Sequence, residues 1–103
     1  EYFPQKIDLY ETVDSEIKLM SSNALRKNIT LTNLVSADTR VTADKNMLTS
    51  TLENLINNAI KFTKPGGEVK IFNIQSGDMI EVTVQDSGVG ITKDRSAAFH
   101  RGH

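Results

Sequence analysis

The stretch LENLINNAIKFT, residues 52–63, followed directly by KPGG at residues 64–67, decides how this chain folds. Apolar side chains recur at helical spacing across residues 48–60, and Asp44 stands where an N-cap residue would begin such a helix. The proline in KPGG disfavours helical backbone in the residue before it, and its two glycines can adopt positive φ. These features predict the strongest helix of the chain, which begins after Asp44 and ends near Thr63.

The residues around this helix predict a second helix, short strands and a hairpin. Apolar residues at every third or fourth position predict a helix over 9–27, and alternating patterns predict strands at 29–35 and around Val41. Beyond KPGG, alternation on both sides of a turn at 76–78 predicts a hairpin. This order predicts an α+β fold, a two-layer α/β sandwich with helices on one face of a mixed sheet. Residues 1–6 are interpreted as a linker that precedes it.

The composition excludes several classes of protein. The 103 residues are 38% hydrophobic and 24% charged, as expected of one globular domain. Twelve Lys and Arg against thirteen Asp and Glu leave a formal charge of −1 without a long run of one sign, so no nucleic acid partner is expected. No apolar stretch reaches the roughly 18 residues that span a bilayer, so this domain is expected to make no membrane contact. The absence of cysteine excludes disulfides, a thiol nucleophile and a cysteine zinc site.

A polar stripe runs along the predicted central helix. At about 100° per residue, Asn58 and Lys61 lie within roughly 40° of Asn54, whereas the apolar residues lie about 100° to 240° away. The predicted core residues of this helix are Leu52, Leu55, Ile56, Ala59 and Ile60. Two amide oxygens one turn apart can hold Mg²⁺ or its waters, and the ammonium beyond them can meet a phosphate. The simpler alternative is a solvated helix face that ends in a cation favourable to the macrodipole.

A glycine loop, DSGVG at residues 86–90, follows the second strand of the hairpin. One interpretation is an ordinary turn that Asp86 closes through its own side chain. The other is that the glycines let the backbone approach a flat ligand, while Asp86 accepts a hydrogen bond from an exocyclic amine such as that of adenine. Combined with the Asn/Asn/Lys stripe, the second interpretation describes one site for base, metal and phosphates.

These two segments together resemble a known family. Residues 52–63 resemble the N box of sensor histidine kinases, and DSGVGI at 86–91 is similar to their G1 box. The resemblance covers roughly residues 5–91 and implies a partial ATP-binding domain at 7–91 with the Bergerat α/β sandwich of gyrase, MutL and Hsp90. By this resemblance Asn58 coordinates Mg²⁺, Asn54 and Lys61 attend the phosphates, Phe62 flanks the nucleotide, and Asp86 reads the adenine amine beside Gly88 and Gly90.

The resemblance also implies a reaction and its partners. In this family the γ-phosphate of ATP moves to a His on a separate dimerisation helix and then to an Asp of a response regulator. ATP-hydrolysing relatives have a Glu that activates water where this chain has Asn54, which cannot act as that base, so a gyrase-like ATPase is disfavoured. The implied ligands and partners are ATP, Mg²⁺, the phosphoacceptor His domain of a parent histidine kinase and a response regulator. The implied location is cytoplasmic, with any membrane anchor elsewhere in the parent.

The end of the chain departs from the family pattern. Twelve residues follow Ile91, the second glycine box is absent, and residues 92–103 form an atypical tail in which 92–99 are expected to be a short helix. We therefore expect an incomplete domain, inactive by itself, whose exposed sheet edge is covered by another copy in a homodimer or by segment exchange. His100 and His103 are interpreted as a polar tail rather than as phosphoacceptors or a metal pair. The alternative function is a non-catalytic Bergerat-fold interaction module without useful ATP binding.

Overall fold

The computed structural model describes residues 3–87 and 92–102, which form two helices and six strands. In chain order they are β1 (Pro4–Asp8), α1 (Leu9–Arg26), β2 (Thr30–Asn33), β3 (Arg40–Asp44), α2 (Lys45–Phe62), β4 (Glu68–Ser76), β5 (Met79–Ser87) and β6 (Thr92–His100). The strands form one sheet in the order β1-β3-β6-β5-β4-β2, with β2 and β4 parallel and the other pairs antiparallel. The predicted α+β sandwich with a mixed sheet is confirmed. Neither helix within the described residues has the length and apolarity needed to cross a membrane.

One hydrophobic core joins the two helices to the sheet. Its members from α2 are Leu48, Leu52, Ile56, Ala59 and Ile60, and central strands contribute Val69, Ile71, Val82 and Val84. Leu55 is only half-buried, so the prediction that it is a full core residue is wrong. It lies at the edge of the apolar arc of the helix, about 100° from Asn54, where the helix surface turns towards solvent.

Aspartate side chains cap both helices at their N-termini. Asp8 accepts a hydrogen bond from the backbone N–H of Glu11 at 3.1 Å. Asp44 Oδ1 accepts from Asn46 at 3.0 Å and from Met47 at 3.1 Å, which confirms the predicted N-cap of α2. Asp44 Oδ2 accepts from the N–H of Phe3 at 2.8 Å and so ties the start of β1 to the start of α2. These donors, that of Phe3 first, lower the pKa of the Asp44 carboxyl.

Two glycines with positive φ lie at the predicted turns. Gly66 has φ of 87° in the segment that follows α2, and Gly77 has φ of 60° between β4 and β5. Both values lie in the left-handed region, where glycine has no Cβ penalty. The predicted end of the central helix near Thr63, which is its C-cap, and the predicted hairpin are both confirmed.

Residues 4–8 form a strand, whereas the sequence predicts a linker over residues 1–6. Residues 4–6, which that prediction placed in the linker, belong to β1 and pair antiparallel with β3 at the edge of the sheet. Proline is tolerated as the first residue of an edge strand, because the missing N–H interrupts no central ladder. The proline was the reason for the wrong prediction, since by itself it favours a loop.

The end of the chain is also a strand, and the predicted short helix at 92–99 is wrong. Arg95, Ala97 and Phe99 are half-buried while the residues between them are exposed, which is the period of a strand. Residues 92–100 pair with β5 along their whole length and thereby satisfy backbone groups of its edge. The edge that was expected to need another copy is therefore paired within this chain. His100 ends this strand and does not belong to a loose tail.

A carboxyl group is buried where α1 faces α2. Glu16 is 3% exposed, and its Oε1 atom finds no hydrogen-bond partner among the described residues. Burial raises the pKa of Glu16 above its ordinary value of 4.5, and the charge of Glu53 on α2 raises it further. The folded chain therefore holds this proton more tightly than the unfolded chain does.

The buried face of α2 predicts the effect of two neighbouring substitutions. Ile56→Ala should lower the free energy of unfolding by about 2 to 5 kcal/mol, because it removes a fully buried side chain. Leu55→Ala should cost clearly less, because the native Leu55 side chain is already partly exposed. Urea denaturation of both variants measures the difference. Equal losses would show that the buried face of α2 is wrongly assigned.

The raised pKa of Glu16 predicts that stability falls as the pH rises above about 4.5. One group contributes at most about 1.4 kcal/mol per pH unit to this slope. Glu16→Gln should remove its contribution, because the amide has no proton to release. Glu53→Gln should reduce the contribution of Glu16 to the slope only in part, because burial raises the pKa of Glu16 more than the charge of Glu53 does. The measurement is denaturant unfolding from about pH 5 to pH 8, and an unchanged slope in Glu16→Gln would contradict the assignment.

Candidate functional site

The three polar residues predicted on the central helix lie on the exposed side of α2. Asn54, Asn58 and Lys61 are all exposed and follow each other about one turn apart. These three side chains form the α2 stripe. Because the opposite face of the helix is buried in the core, the stripe is presented to solvent and to any ligand.

Phe62 is the last residue of α2 and is 58% exposed. Lys61 Nζ and Arg95 Cζ each lie 5.3 Å from the centroid of this ring. This distance is within the range of cation–π attraction, which restrains the ring although it is exposed. An aromatic surface beside the α2 stripe suits a flat ligand such as a base.

Asp86 lies near the end of β5, and its side chain is 3% exposed. Its Oδ2 atom accepts a hydrogen bond from Arg95 Nη1 at 2.6 Å, a short and charge-assisted contact. Arg95 belongs to β6, and its guanidinium reaches both the Asp86 carboxylate and the Phe62 ring. The Arg95 side chain therefore contacts both the end of α2, through Phe62, and the end of β5, through Asp86.

Close packing behind the site holds these two ends together. A Cβ atom at Gly67 would collide with Thr63 Cγ2 and would lie 3.3 Å from Ser87 Oγ. Ser87 Oγ accepts from the N–H of Glu68 at 2.8 Å and donates to its carbonyl oxygen at 3.2 Å. Residue 67 is therefore a glycine because the loop after α2 must come close to the end of β5.

The C-terminal end of α2 is basic. Lys27, the C-cap residue of α1, donates from Nζ to the carbonyl oxygens of Ile60 and Lys61, both at 2.8 Å. Carbonyls in the last turn lack partners within the helix, so a cation there satisfies them and complements the macrodipole. Lys61 adds a positive charge beside Phe62, whereas the charge of Arg95 is balanced by Asp86. The exposed ammonium of Lys61 can therefore meet an anionic ligand such as a phosphate chain.

The residues present fit a nucleotide with a hard cation, with one exception. Among residues 3–87 and 92–102, no group of three or more His, Cys, Asp or Glu side chains is placed to bind a metal ion. A cation at the α2 stripe would depend on amide oxygens, water and the ligand's own oxygens, a donor set that Mg²⁺ accepts. The exception is Asp86, which already binds Arg95. Gly88 and Gly90, predicted to lie beside the base, fall outside the described residues.

Arg95 was absent from the site predicted by sequence. The sequence carries little signal for it, because DRSAAF at residues 94–99 has a charged residue at 95 and two identical alanines at 97 and 98, so it shows no clear alternation. The sequence also does not say which edge the strand will join. Only its pairing with β5 brings the guanidinium to Asp86.

Comparison with known proteins assigns the family. Residues 43–103, more than half of the chain, match the histidine kinase-, DNA gyrase B- and HSP90-like ATPase family. The chain belongs to this family of ATPase domains. Its relatives within the family include sensor histidine kinases and its structural neighbours include a histidine kinase catalytic domain, which confirms the resemblance inferred from the N and G1 boxes.

The chain is similar to a minor part of each curated relative. An uncharacterised sensor-like histidine kinase of Rhizobium meliloti is 38% identical over 78 residues, which are 75% of this chain and 15% of that protein. The adaptive-response sensory kinase SasA of Prochlorococcus marinus is 37% identical over 91 residues, which are 85% of this chain and 24% of SasA. The chain thus spans a quarter or less of the length of the curated relatives that it matches.

Two solved structures show the same fold. The nucleotide-free catalytic domain of histidine kinase ThkA has a TM-score of 0.77 at 28% identity, over 88% of this chain and 62% of that one. Full-length ShkA in complex with AMPPNP has a TM-score of 0.77 at 29% identity, over 88% of this chain and 20% of ShkA.

Proposed function

We propose that this chain is the ATP-binding catalytic part of a two-component sensor histidine kinase. It holds Mg·ATP and presents the γ-phosphate to a His outside the chain. The observation that carries the proposal is the meeting of the α2 stripe, the exposed Phe62 ring and the Asp86 carboxylate at the end of one helix. Family membership supports it, as does the similarity to ShkA, which was solved with the nucleotide analogue AMPPNP.

The phosphate end of the proposed site lies along the α2 stripe. Asn58 would hold Mg²⁺ through its amide oxygen, and the cation would neutralise phosphate charge. Asn54 and Lys61 attend the phosphates, where the ammonium supplies a positive charge. Asn54 has no basic atom to activate water, so this arrangement serves phosphoryl transfer rather than hydrolysis.

The base end of the proposed site lies between α2 and β5. Phe62 flanks the nucleotide with its exposed ring. Asp86 accepts a hydrogen bond from the exocyclic amine of adenine, beside Gly88 and Gly90. Position 6 of the purine carries an amine in adenine and a carbonyl oxygen in guanine, and a carboxylate accepts only from the amine, so an Asp86 that reads position 6 favours adenine.

The partners in this proposal lie in other domains. The phosphoacceptor is a His in the dimerisation domain of the parent kinase, and a response regulator receives the phosphoryl group next. The crystal structure of the similar kinase ThkA in complex with the response regulator TrrA supports a response regulator as a partner. The proposed location is the cytoplasmic side of a sensor kinase, with any membrane anchor elsewhere in the parent protein.

A second function is favoured by one specific contact. Arg95 binds the carboxylate that would read the base. A chain in which this ion pair persisted would bind ATP poorly and would serve as a non-catalytic interaction module with the same fold. The two functions differ in one measurable property, the affinity for a nucleotide.

The proposed function predicts magnesium-dependent binding of AMPPNP at micromolar concentrations. Asn58→Ala should weaken binding about tenfold or more in the presence of Mg²⁺ and much less in its absence, because only the metal contact is lost. Isothermal titration calorimetry of the full chain measures both affinities, and its mass in solution is measured in the same buffer.

The matched control for this experiment is Asn57→Ala. Asn57 is also exposed, but it lies about 60° from Asn54 on the side of the helix away from Asn58. Its removal should leave the affinity unchanged. Equal losses in both variants would overturn the metal role of Asn58, and a folded chain that does not bind Mg·AMPPNP would favour the interaction module.

A further inference from the structure

The base end of the proposed site is already occupied by a side chain of the same protein. Arg95 Nη1 lies 2.6 Å from Asp86 Oδ2, and the two side chains are 17% and 3% exposed. A charge-assisted contact of this kind is stronger in a desolvated setting than on the surface. An amine that approaches Asp86 Oδ2 from the side of β6 meets the guanidinium first.

The same guanidinium also lies against the second group that a base would use. Arg95 Cζ is 5.3 Å from the centroid of the Phe62 ring. A base that stacks on the ring from this side needs the space that the guanidinium fills. Arg95 therefore lies against the hydrogen-bonding group and the stacking group at once.

The sheet determines where Arg95 points. Arg95 stands opposite Val84 in a continuous antiparallel pairing of β5 and β6. Phe99, four residues further along the same face of β6, packs against the hydrophobic core. A register shift by one residue would expose Phe99 and turn Arg95 to the other face, so the core itself holds the arginine at this site.

We propose that Arg95 is a built-in competitor of the nucleotide base, which lowers the affinity of this chain for ATP by holding Asp86 and Phe62. This inference rests on the proposed function, because it takes the base to use these two groups. The base then binds only conformers in which the guanidinium has moved away from Asp86 and Phe62. The apparent affinity is the intrinsic affinity multiplied by the fraction of such conformers. A ligand that carries phosphates but no base does not compete with Arg95.

The test compares AMPPNP with inorganic tripolyphosphate, each with Mg²⁺, on the full chain and on Arg95→Ala. We expect Arg95→Ala to bind AMPPNP about tenfold more tightly or better, and to bind tripolyphosphate no more tightly than the unaltered chain does. The control variant is Arg101→Ala, which removes an exposed arginine just after β6. The backbone N–H of Arg101 donates to the carbonyl oxygen of Asp78, in the turn before β5 and away from Asp86. Both affinities should be unchanged in this control.

A second measurement uses the unaltered chain, because Arg95→Ala leaves a buried carboxylate without its partner and can lose its fold. Nitrogen-15 NMR follows the Nε–H resonance of Arg95, which is assigned with the variant Arg95→Lys. Addition of Mg·AMPPNP should move this resonance as the ion pair is released. Addition of Mg·tripolyphosphate should leave it in place.

The outcomes separate this inference from the function on which it rests. If the unaltered chain binds Mg·AMPPNP while Arg95→Ala binds it no more tightly and the Nε–H resonance does not move, the competitor role is overturned and the proposed function stands. If Arg95→Ala binds Mg·AMPPNP and the unaltered chain does not, the competitor role is supported, because Arg95 then prevents binding altogether. If neither chain binds it although both are folded, the proposed function fails and the competitor role fails with it.

Discussion

The burial of one face of α2 is the constraint on which the rest of the structure depends. Leu52, Ile56 and Ala59 are fully buried. The helix can therefore be rotated about its own axis in only one way that keeps these three side chains out of solvent. That rotation presents the α2 stripe to solvent. It also brings Phe62, at the end of the helix, beside the strands that carry Asp86 and Arg95. The packing of the core therefore determines how the candidate site is arranged.

The strand that completes the sheet also restricts the site. Without β6, the edge of β5 would present a row of unpaired backbone groups, a liability for folding and solubility. With β6, that edge is satisfied, and the alternation that turns Phe99 to the core also turns Arg95 towards Asp86. The strand that makes the sheet continuous therefore also places a guanidinium at the proposed base site.

Two carboxyl groups at the helix layer respond to pH in opposite directions. Asp44 is stabilised as an anion by backbone N–H groups, so its contribution to stability is lost as the pH falls below its ordinary value of 3.8. Glu16 is buried without a hydrogen-bond partner for Oε1 among the described residues, so its anion is disfavoured and stability falls as the pH rises above 4.5. These two groups together favour maximum stability at mildly acidic pH.

Much of the local structure could be predicted from the sequence, because helix periodicity, capping and turn residues act within a few positions. Both helices, the hairpin and the exposed side of Asn54, Asn58 and Lys61 follow from spacing alone, and residues 52–63 and 86–91 identified the family. Leu55 is less buried than its spacing predicts, because spacing gives a direction around the helix but not the extent of the surface packed against it.

The ends of the chain depended on tertiary structure. A strand needs a partner edge, and neither the edge of β3 that pairs with β1 nor the edge of β5 that pairs with β6 is visible in the short segments concerned. The contact of Arg95 with Asp86 joins two strands through their register, and the burial of Glu16 arises where two helices pack. The sequence by itself therefore determined the elements, the family and the candidate ligand groups. Tertiary structure alone decided which of those groups are already bound within the protein, because side-chain pairing across a sheet depends on register and not on spacing along the chain.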